Sequence, residues 1–369
     1  MEHPGRKIRV AIIFGGRSAE HEVSLQSAKN VLASLDSEKY EPVLIGIDRQ
    51  GRWYLNQHSM GLLNDADPRL IQLNRDGTEI ALAASGDSRR LVALNNQAQL
   101  PEIDVIFPVL HGPYGEDGTV QGLAKLANLP CVGPGVLGSA VSMDKDVMKR
   151  LLRDAEIPIA DFLVFKKNAV PADAFSSSEA RLGLPLFVKP ANLGSSVGIS
   201  RASNRQEFDE ALRLAFEYDT KVVVEEAITG REIEVSVIGN HNPRASVPGE
   251  VVAEGGFYSY RAKYIDEHGA VLSIPAHLDA EQTERVQRTA LRAYSVLCCT
   301  GMSRVDMFLK TDGTVLVNEL NTIPGFTRIS MYPKLWEAGG TSYTELVDEL
   351  IQLAISEFEE RSNLKTTPD

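Results

Sequence analysis

Arg304-Val305-Asp306-Met307-Phe308-Leu309, Lys310-Thr311-Asp312-Gly313-Thr314 and Val315-Leu316-Val317-Asn318-Glu319-Leu320-Asn321 form one uninterrupted stretch. Two runs rich in β-branched and large apolar residues flank an Asp-Gly pair, a strong short-range signal for a β-hairpin. With Asp312-Gly313 at the tip, counting outward sets Asp306 opposite Glu319 and Arg304 opposite Asn321. Side chains alternate along a strand, so these four share one face. Val305, Met307, Leu309, Leu316 and Leu320 share the other and face a core. Two carboxylates opposed across a strand pair have Cβ atoms about 4.5–5.5 Å apart and repel. A cation between them reverses the sign. Oxygen-only donors suit a hard ion, Mg²⁺ or Mn²⁺, of the kind that bridges substrate phosphates. The competing reading is a polar strand face turned to solvent.

Phosphate-binding chemistry is also present upstream. Leu186-Phe187-Val188-Lys189-Pro190 runs into Ala191-Asn192-Leu193-Gly194-Ser195-Ser196-Val197-Gly198-Ile199. A strand ending in Lys and followed by a Gly/Ser loop offers backbone N–H groups, hydroxyls and an ammonium to anionic oxygens. A flexible turn is the bland alternative. Lys145 stands between Asp144 and Asp146 in the first turn of a helix expected to start near Ser142. The helix dipole disfavours a cation there. A bound phosphate would explain it, and a solvated surface lysine is the other reading. Val222–Glu226 ends a strand in acids suited to ribose hydroxyls or to solvent, with Gly230-Arg231-Glu232 just beyond.

Around these motifs the chain is 369 residues long, which suggests two or three domains at about 100–200 residues each. A net charge of −12 argues against nucleic-acid or anionic-membrane binding, which needs a basic face. Cys131, Cys298 and Cys299 show no zinc or disulfide spacing and suit a reducing compartment. No apolar run approaches the roughly 18 residues of a membrane span. Val10–Phe14, Val43–Ile47 and Val105–Leu110 read as strands, with a helix from about Glu22, giving a parallel sheet. Residues from about Asp48 to Gln99 are weakly patterned and turn-rich. Gly133-Pro134-Gly135-Val136-Leu137-Gly138 matches a dinucleotide fingerprint but lies mid-chain, away from a first βαβ unit, and reads as a connector.

The chain resembles the D-alanine–D-alanine ligases of the ATP-grasp superfamily, in their longer form, over nearly its whole length. The motifs occur in family order: Gly15–Ser24, His111–Thr119, Met143-Asp144-Lys145, Lys189–Gly198, Ala262-Lys263-Tyr264, Arg304-Val305-Asp306 and Asn318–Gly325. The resemblance implies a three-domain α/β fold, mixed α+β toward the C-terminus. Its units are an N-terminal parallel-sheet domain (1–134), a central subdomain (135–228) and a C-terminal subdomain (229–369). It implies that ATP phosphorylates one D-alanine, that the amine of a second attacks the acyl phosphate, and that ADP and phosphate leave, for cell-wall precursor synthesis. A homodimer in the bacterial cytoplasm is implied as well. The alternatives are another ATP-grasp carboxylate–amine ligase or a nucleotide-binding sensor without turnover.

Position by position, the resemblance assigns Glu20 and His111 to the first D-alanine. Ser195 and Tyr264 join Glu20 in a hydrogen-bonded group under a lid of Gly255–Tyr264. Lys145, Lys189 and Lys263, with Ser195 and Ser196, meet the ATP phosphates. Glu225 and Glu232 meet the adenine–ribose end. Asp306, Glu319 and Asn321 hold two Mg²⁺ or Mn²⁺ ions. Arg304 and the Gly325 N–H stabilise the developing oxyanion, and Ser330 binds the second carboxylate. Met331, where many members carry Leu, stands beside the second-substrate pocket.

Overall fold

The computed structural model describes residues 6–56, 62–63, 71–84, 91–95, 100–253, 270–365 and 367. In chain order the first part carries β1 (Ile8–Gly15), α1 (His21–Ser34), β2 (Tyr40–Ile47), β3 (Trp53–Asn56), β4 (Leu62–Leu63), β5 (Gln72–Leu73), β6 (Thr78–Leu82), β7 (Leu91–Ala93), β8 (Val105–Val109) and α2 (Thr119–Leu126). β1 pairs in parallel with β2 and β8, while β3, β6 and β7 extend the sheet antiparallel, in the order β7-β6-β3-β2-β1-β8. Val10–Phe14 is unbroken in apolar residues because both faces of β1 are covered. The weakly patterned stretch after Asp48 thus supplies the antiparallel extension of this sheet in its described parts.

Next come α3 (Val136–Met143), α4 (Lys145–Asp154), β9 (Phe162–Lys166), α5 (Ala174–Leu182), β10 (Leu186–Pro190), β11 (Ser200–Ala202), α6 (Arg205–Tyr218) and β12 (Lys221–Glu226). The helix expected from near Ser142 is α4 and starts at Lys145, with a separate helix, α3, ending at Met143 just before it. Asp144 breaks the run by capping α4, its side chain accepting from Asp146 N and Val147 N. The second sheet, β11-β10-β12-β9, is antiparallel. Leu186, Val188, Val222 and Val224 face α5 and α6. The alternate positions Phe187, Lys189 and Glu225 face a cleft.

The third sheet contains β13 (Arg231–Ile238), β14 (Arg244–Ala245), β15 (Gly249–Ala253), β16 (Ala270–Ser273), β17 (Met302–Leu309) and β18 (Val315–Asn321). Its order is β16-β15-β13-β17-β18, with β14 on β13, and it is antiparallel. α7 (Ala280–Val296), opened by an Asp279–Gln282 capping box, packs Val286, Ala290, Ala293 and Tyr294 beneath it, together with Met148 and Leu152 of α4. α8 (Met331–Ala338) and α9 (Tyr343–Ser362) close the chain. Leu346, Val347, Leu350, Ile351 and Ala354 form a helical stripe on α9. That stripe packs into the core of the first sheet with Val10, Ile12 and Phe14, so the end of the chain is fastened to its beginning. Each such side chain contributes roughly 1.5–3 kcal/mol when fully buried.

The hairpin corrects part of its expectation. Its loop has three residues, Thr311-Asp312-Gly313: Lys310 N donates to Thr314 O and Gly313 N to Lys310 O, and Gly313 takes φ 81°. The extra loop residue shifts the register by one, pairing Leu309 with Val315, Phe308 with Leu316 and Met307 with Val317. Val315 and Val317 therefore enter the core, and Leu316 shares the Phe308 face, opposite to the expectation. A bulge then leaves Asn318 without an opposed residue and restores the offset, so Asp306 faces Glu319 and Arg304 faces Asn321 as counted.

Candidate active site

The second and third sheets enclose a cleft. Its walls include Phe187, Leu193, Ile199, Ile228 and Phe308, with Lys189, Glu225, Glu226 and Glu232 among its polar groups. Asp306, Asn318 and Glu319 also line it, as does Ser196. A regular strand would send Asn318 and Glu319 to opposite faces; the bulge lets both reach the cleft. Apolar walls with a few convergent charges are what a small-molecule ligand site needs.

On the third sheet, Glu234, Asp306 and Glu319 are register neighbours across β13, β17 and β18. Arg304 compensates them. Its Nε and Nη2 donate to the two oxygens of Asp306, each at 2.7 Å, and Nε lies 2.9 Å from Glu234 Oε2. Asn321 Nδ2 donates to Asp306 Oδ2 at 3.0 Å. The donor set of Asp306, Glu319 and Asn321 is oxygen-rich and anionic, which fits a hard divalent ion. No three His, Cys, Asp or Glu side chains converge as a metal cage among the described residues, so substrate oxygens would have to complete the shell. The polar-face alternative does not hold, because these groups sit largely buried in ion pairs rather than in solvent.

Lys145 is not a surface lysine. It is 5 % exposed, its Nζ donates to Leu193 O at 2.5 Å, and it lies 3.6 Å from Glu319 Oε2. Lys189 Nζ donates to Glu225 Oε2 at 2.8 Å and to Asn318 Oδ1 at 3.3 Å. Burial disfavours the Lys189 charge, but Glu225, Glu319 and Glu232 outweigh it and raise its pKa. Glu225 is opposed by burial too, yet Lys149 and Lys189 pull its carboxyl down to about 2. Glu232 lies on the same cleft-facing side of β13 as Glu234.

A second cluster lies where the first sheet meets the loop after β18. Glu20 is buried, and Ser195 Oγ donates to its Oε1. Ser195 and Ser196 both adopt left-handed backbone, φ 52° and 60°, a conformation that bulky residues avoid and functional loops retain. His111 donates from Nδ1 to Ile323 O at 3.0 Å, and Ser27 Oγ lies 3.2 Å from its Nε2. Burial lowers the His111 pKa to about 4, so the ring is neutral at pH 7. Glu116 accepts from Gly112 N at 2.6 Å and from Ile323 N at 3.2 Å. Burial, then Glu20, raises it to about 8. Ser27 Oγ accepts from Phe326 N, and Asn30 Nδ2 donates to Phe326 O. The loop carrying Gly325 is thus fastened at Ile323 and Phe326 to the first sheet and α1.

Ser330 Oγ accepts from Thr327 N at 2.9 Å, and a Cβ on Gly325 would come within 2.7 Å of it. Met331 is 5 % exposed and packs with Val251 and Leu335. Its side chain sits over Gly249, where a Cβ would meet it at 2.4 Å. Lys263, Tyr264 and the rest of Gly255–Tyr264 lie outside the described residues. Lys149, Glu116 and Glu234 escaped the sequence reading. Lys149 had a signal, four residues after Lys145 on one helix face, and Glu234 had the alternation with Glu232. Glu116 had only a place in a motif, since its burial is a property of the tertiary fold.

Two family models match the chain: "D-ala D-ala ligase N-terminus" over residues 9–134 and "D-ala D-ala ligase C-terminus" over 151–352. The D-alanine–D-alanine ligase of Shouchella clausii is 54% identical over 361 residues, covering 98% of both chains. That of Oceanobacillus iheyensis is 51% identical, covering 98% of this chain and 99% of the relative. Among solved structures, the D-alanine–D-alanine ligase of Coxiella burnetii matches with TM-score 0.84 and 38% identity, over 96% of each chain. The VanG D-Ala:D-Ser ligase of Enterococcus faecalis matches with TM-score 0.83 and 38% identity, over 95% of this chain and 100% of that one.

Proposed function

The chain belongs to the D-alanine–D-alanine ligase family, and from that premise we propose how its cleft performs the ATP-dependent joining of two D-alanine molecules. The enzyme is an ADP-forming ligase serving peptidoglycan synthesis. The observation that supports this reading most is the run of groups from the cleft, through Lys189, Lys145 and Glu319, to Arg304 and the Glu20–Ser195 pair.

The adenine lies between the apolar walls, and Glu225 and Glu232 meet the adenine–ribose end. Lys145 and Lys189, with the Ser195–Ser196 turn, take the phosphates; Lys263 joins them. Glu20 receives the ammonium of the first D-alanine, and His111 stands beside it. Ser195 and Tyr264 complete that side. The carboxylate of the first D-alanine attacks the γ-phosphorus, ADP leaves, and an acyl phosphate remains. The free amine of the second D-alanine attacks its carbonyl carbon, the nitrogen gives up one proton, and phosphate departs with the C–O bond electrons and takes that proton up. Arg304 and the Gly325 N–H face the oxyanion formed on the way, where preorganised donors act most strongly. Ser330 holds the second carboxylate, with Met331 packed behind it. Asp306, Glu319 and Asn321 would hold Mg²⁺ or Mn²⁺, two ions, and the metal would supply charge neutralisation of the ATP phosphates.

The same reading divides the chain at about 134 and 228, into an N-terminal domain and two ATP-grasp subdomains, working as a homodimer in the bacterial cytoplasm. No helix among the described residues is long and apolar enough to cross a membrane. The test is phosphate release in the presence of ATP and Mg²⁺. D-alanine should drive it and L-alanine should not. Release driven by a different acid, or ATP binding with no release for any acid, would overturn the assignment.

A further inference from the structure

α4 carries Lys145 and Lys149 four residues apart, so both ammonium groups emerge on one helix face. Lys145 reaches the phosphate loop. Lys149 goes deeper. It has no exposed surface, and its Nζ lies 3.3 Å from Glu225 Oε1 and 5.7 Å from the centroid of the Phe162 ring. The other oxygen of Glu225 accepts from Lys189. Glu225 and Lys189 line the cleft, whereas Lys149 stands behind them.

A buried ion pair is a poor device for stability, because apolar residues of the same shape often serve as well or better. Met148 and Leu152 on the same helix pack into an apolar core, and a methionine at 149 would suit the Phe162 ring. Packing alone therefore gives no reason for an ammonium at this position. The contact chain does. With Lys149 on Oε1, the Glu225 carboxylate is pinned from its buried side, and Oε2 is left to meet Lys189. Without Lys149, the carboxylate has Lys189 as its neighbouring cation. Both oxygens then compete for that ammonium and shift it along the cleft toward Glu225.

We propose that Lys149 is a positioning residue of the nucleotide site, acting through Glu225 to hold Lys189 where it meets a phosphate oxygen. This rests on the assignment of the cleft to ATP, and the experiment separates the two. ATP affinity and KM values are measured for Lys149→Met, Lys189→Ala, Glu225→Gln and the double variant Lys149→Met/Glu225→Gln of the full chain. Lys149→Met should raise the Kd and KM for ATP about tenfold, the loss of roughly one charge-assisted hydrogen bond, with KM for D-alanine unchanged. In the Glu225→Gln background it should add nothing. That double variant leaves neither a buried carboxylate nor a buried ammonium unpaired, so where a single variant fails to fold its ATP affinity is compared with wild type, and an unchanged value would sink the proposal. Wild-type ATP affinity in Lys149→Met beside a loss in Lys189→Ala would sink the proposal and leave the cleft assignment standing. So would an equal loss with and without Glu225. Wild-type affinity in both Lys149→Met and Lys189→Ala would overturn the cleft assignment, and the proposal with it.

Discussion

At the β17–β18 hairpin, acids are balanced by cations: Arg304 spans Asp306 and Glu234, and Lys145 approaches Glu319. At the N-terminal rim, Glu20, His111 and Glu116 are buried instead among backbone groups and hydroxyls. The consequence is visible in their ionisation. Glu225, in the cleft with its two lysines, is held far below the ordinary carboxylate range, whereas Glu116 is pushed up to about 8 and His111 down to about 4. One region keeps its charges by pairing them, as the proposed handling of phosphates and an oxyanion requires. The other keeps Glu116 and His111 neutral, and their hydrogen bonds to Ile323 join two parts of the fold.

The sharpest break in this comparison is Arg304→Ala. It removes the cation shared by Asp306 and Glu234, and dipeptide formation should fall about 10²–10³-fold while ATP still binds. Near wild-type turnover in a dipeptide assay would show that Arg304 serves the sheet and not the reaction. Asp306→Asn comes next. It halves the carboxylate pair across the hairpin, and the metal concentration for half-maximal activity should rise about tenfold or more; an unchanged metal titration would refute the donor set.

On the rim, Glu20→Gln keeps an acceptor for Ser195 but loses the charge. KM for D-alanine should rise about tenfold with KM for ATP unaltered. A rise in the ATP constant instead would mean that Glu20 supports the phosphate loop. The smallest effect is a pH signature. A carboxyl raised from 4.5 to about 8 keeps its proton in the folded protein while the unfolded chain loses it. Its contribution is therefore full below 4.5 and is lost as pH rises toward 8. His111, lowered from 6.5 to about 4, has the opposite slope, gaining between those values as pH rises. The two oppose each other up to about pH 6.5, and Glu116 alone acts above it. Glu116→Gln should thus flatten the fall in Tm between pH 6.5 and 8, by roughly 1 °C for each kcal/mol removed. An identical slope in the variant would show that Glu116 is ionised in the folded protein.

Legibility followed the same division. The hairpin announced its chemistry because a strand's period of two converts spacing directly into a shared face. Asp306, Glu319, Arg304 and Asn321 were placed on one face from spacing, although the assumed two-residue turn was wrong by one and the bulge at Asn318 cancelled the error. Leu316, lying between loop and bulge, had no such cancellation and came out on the wrong face. The roles of Lys145 and Lys189 stood open from the residues alone, since a lysine in a first helical turn or at a strand end is common on surfaces. Only the approach of β18 and the 191–193 backbone shows Lys145 to be buried.

By itself, the sequence determined the first parallel strands, the β17–β18 hairpin, the shared face of Arg304, Asp306, Glu319 and Asn321, and the family signature. These depend on local periodicity and on motifs contiguous in the chain. The tertiary structure decided the charge state of Glu116 and His111, the pinning of Glu225 between Lys149 and Lys189, and the fastening of α9 to the first sheet. Those depend on desolvation and on contacts between residues as much as about 300 positions apart, such as Tyr40 Oη donating to Asp348 across 308 positions. Electrostatics in a low-dielectric interior is set by what surrounds a group in space, and a linear pattern carries that information for neighbours along the chain alone.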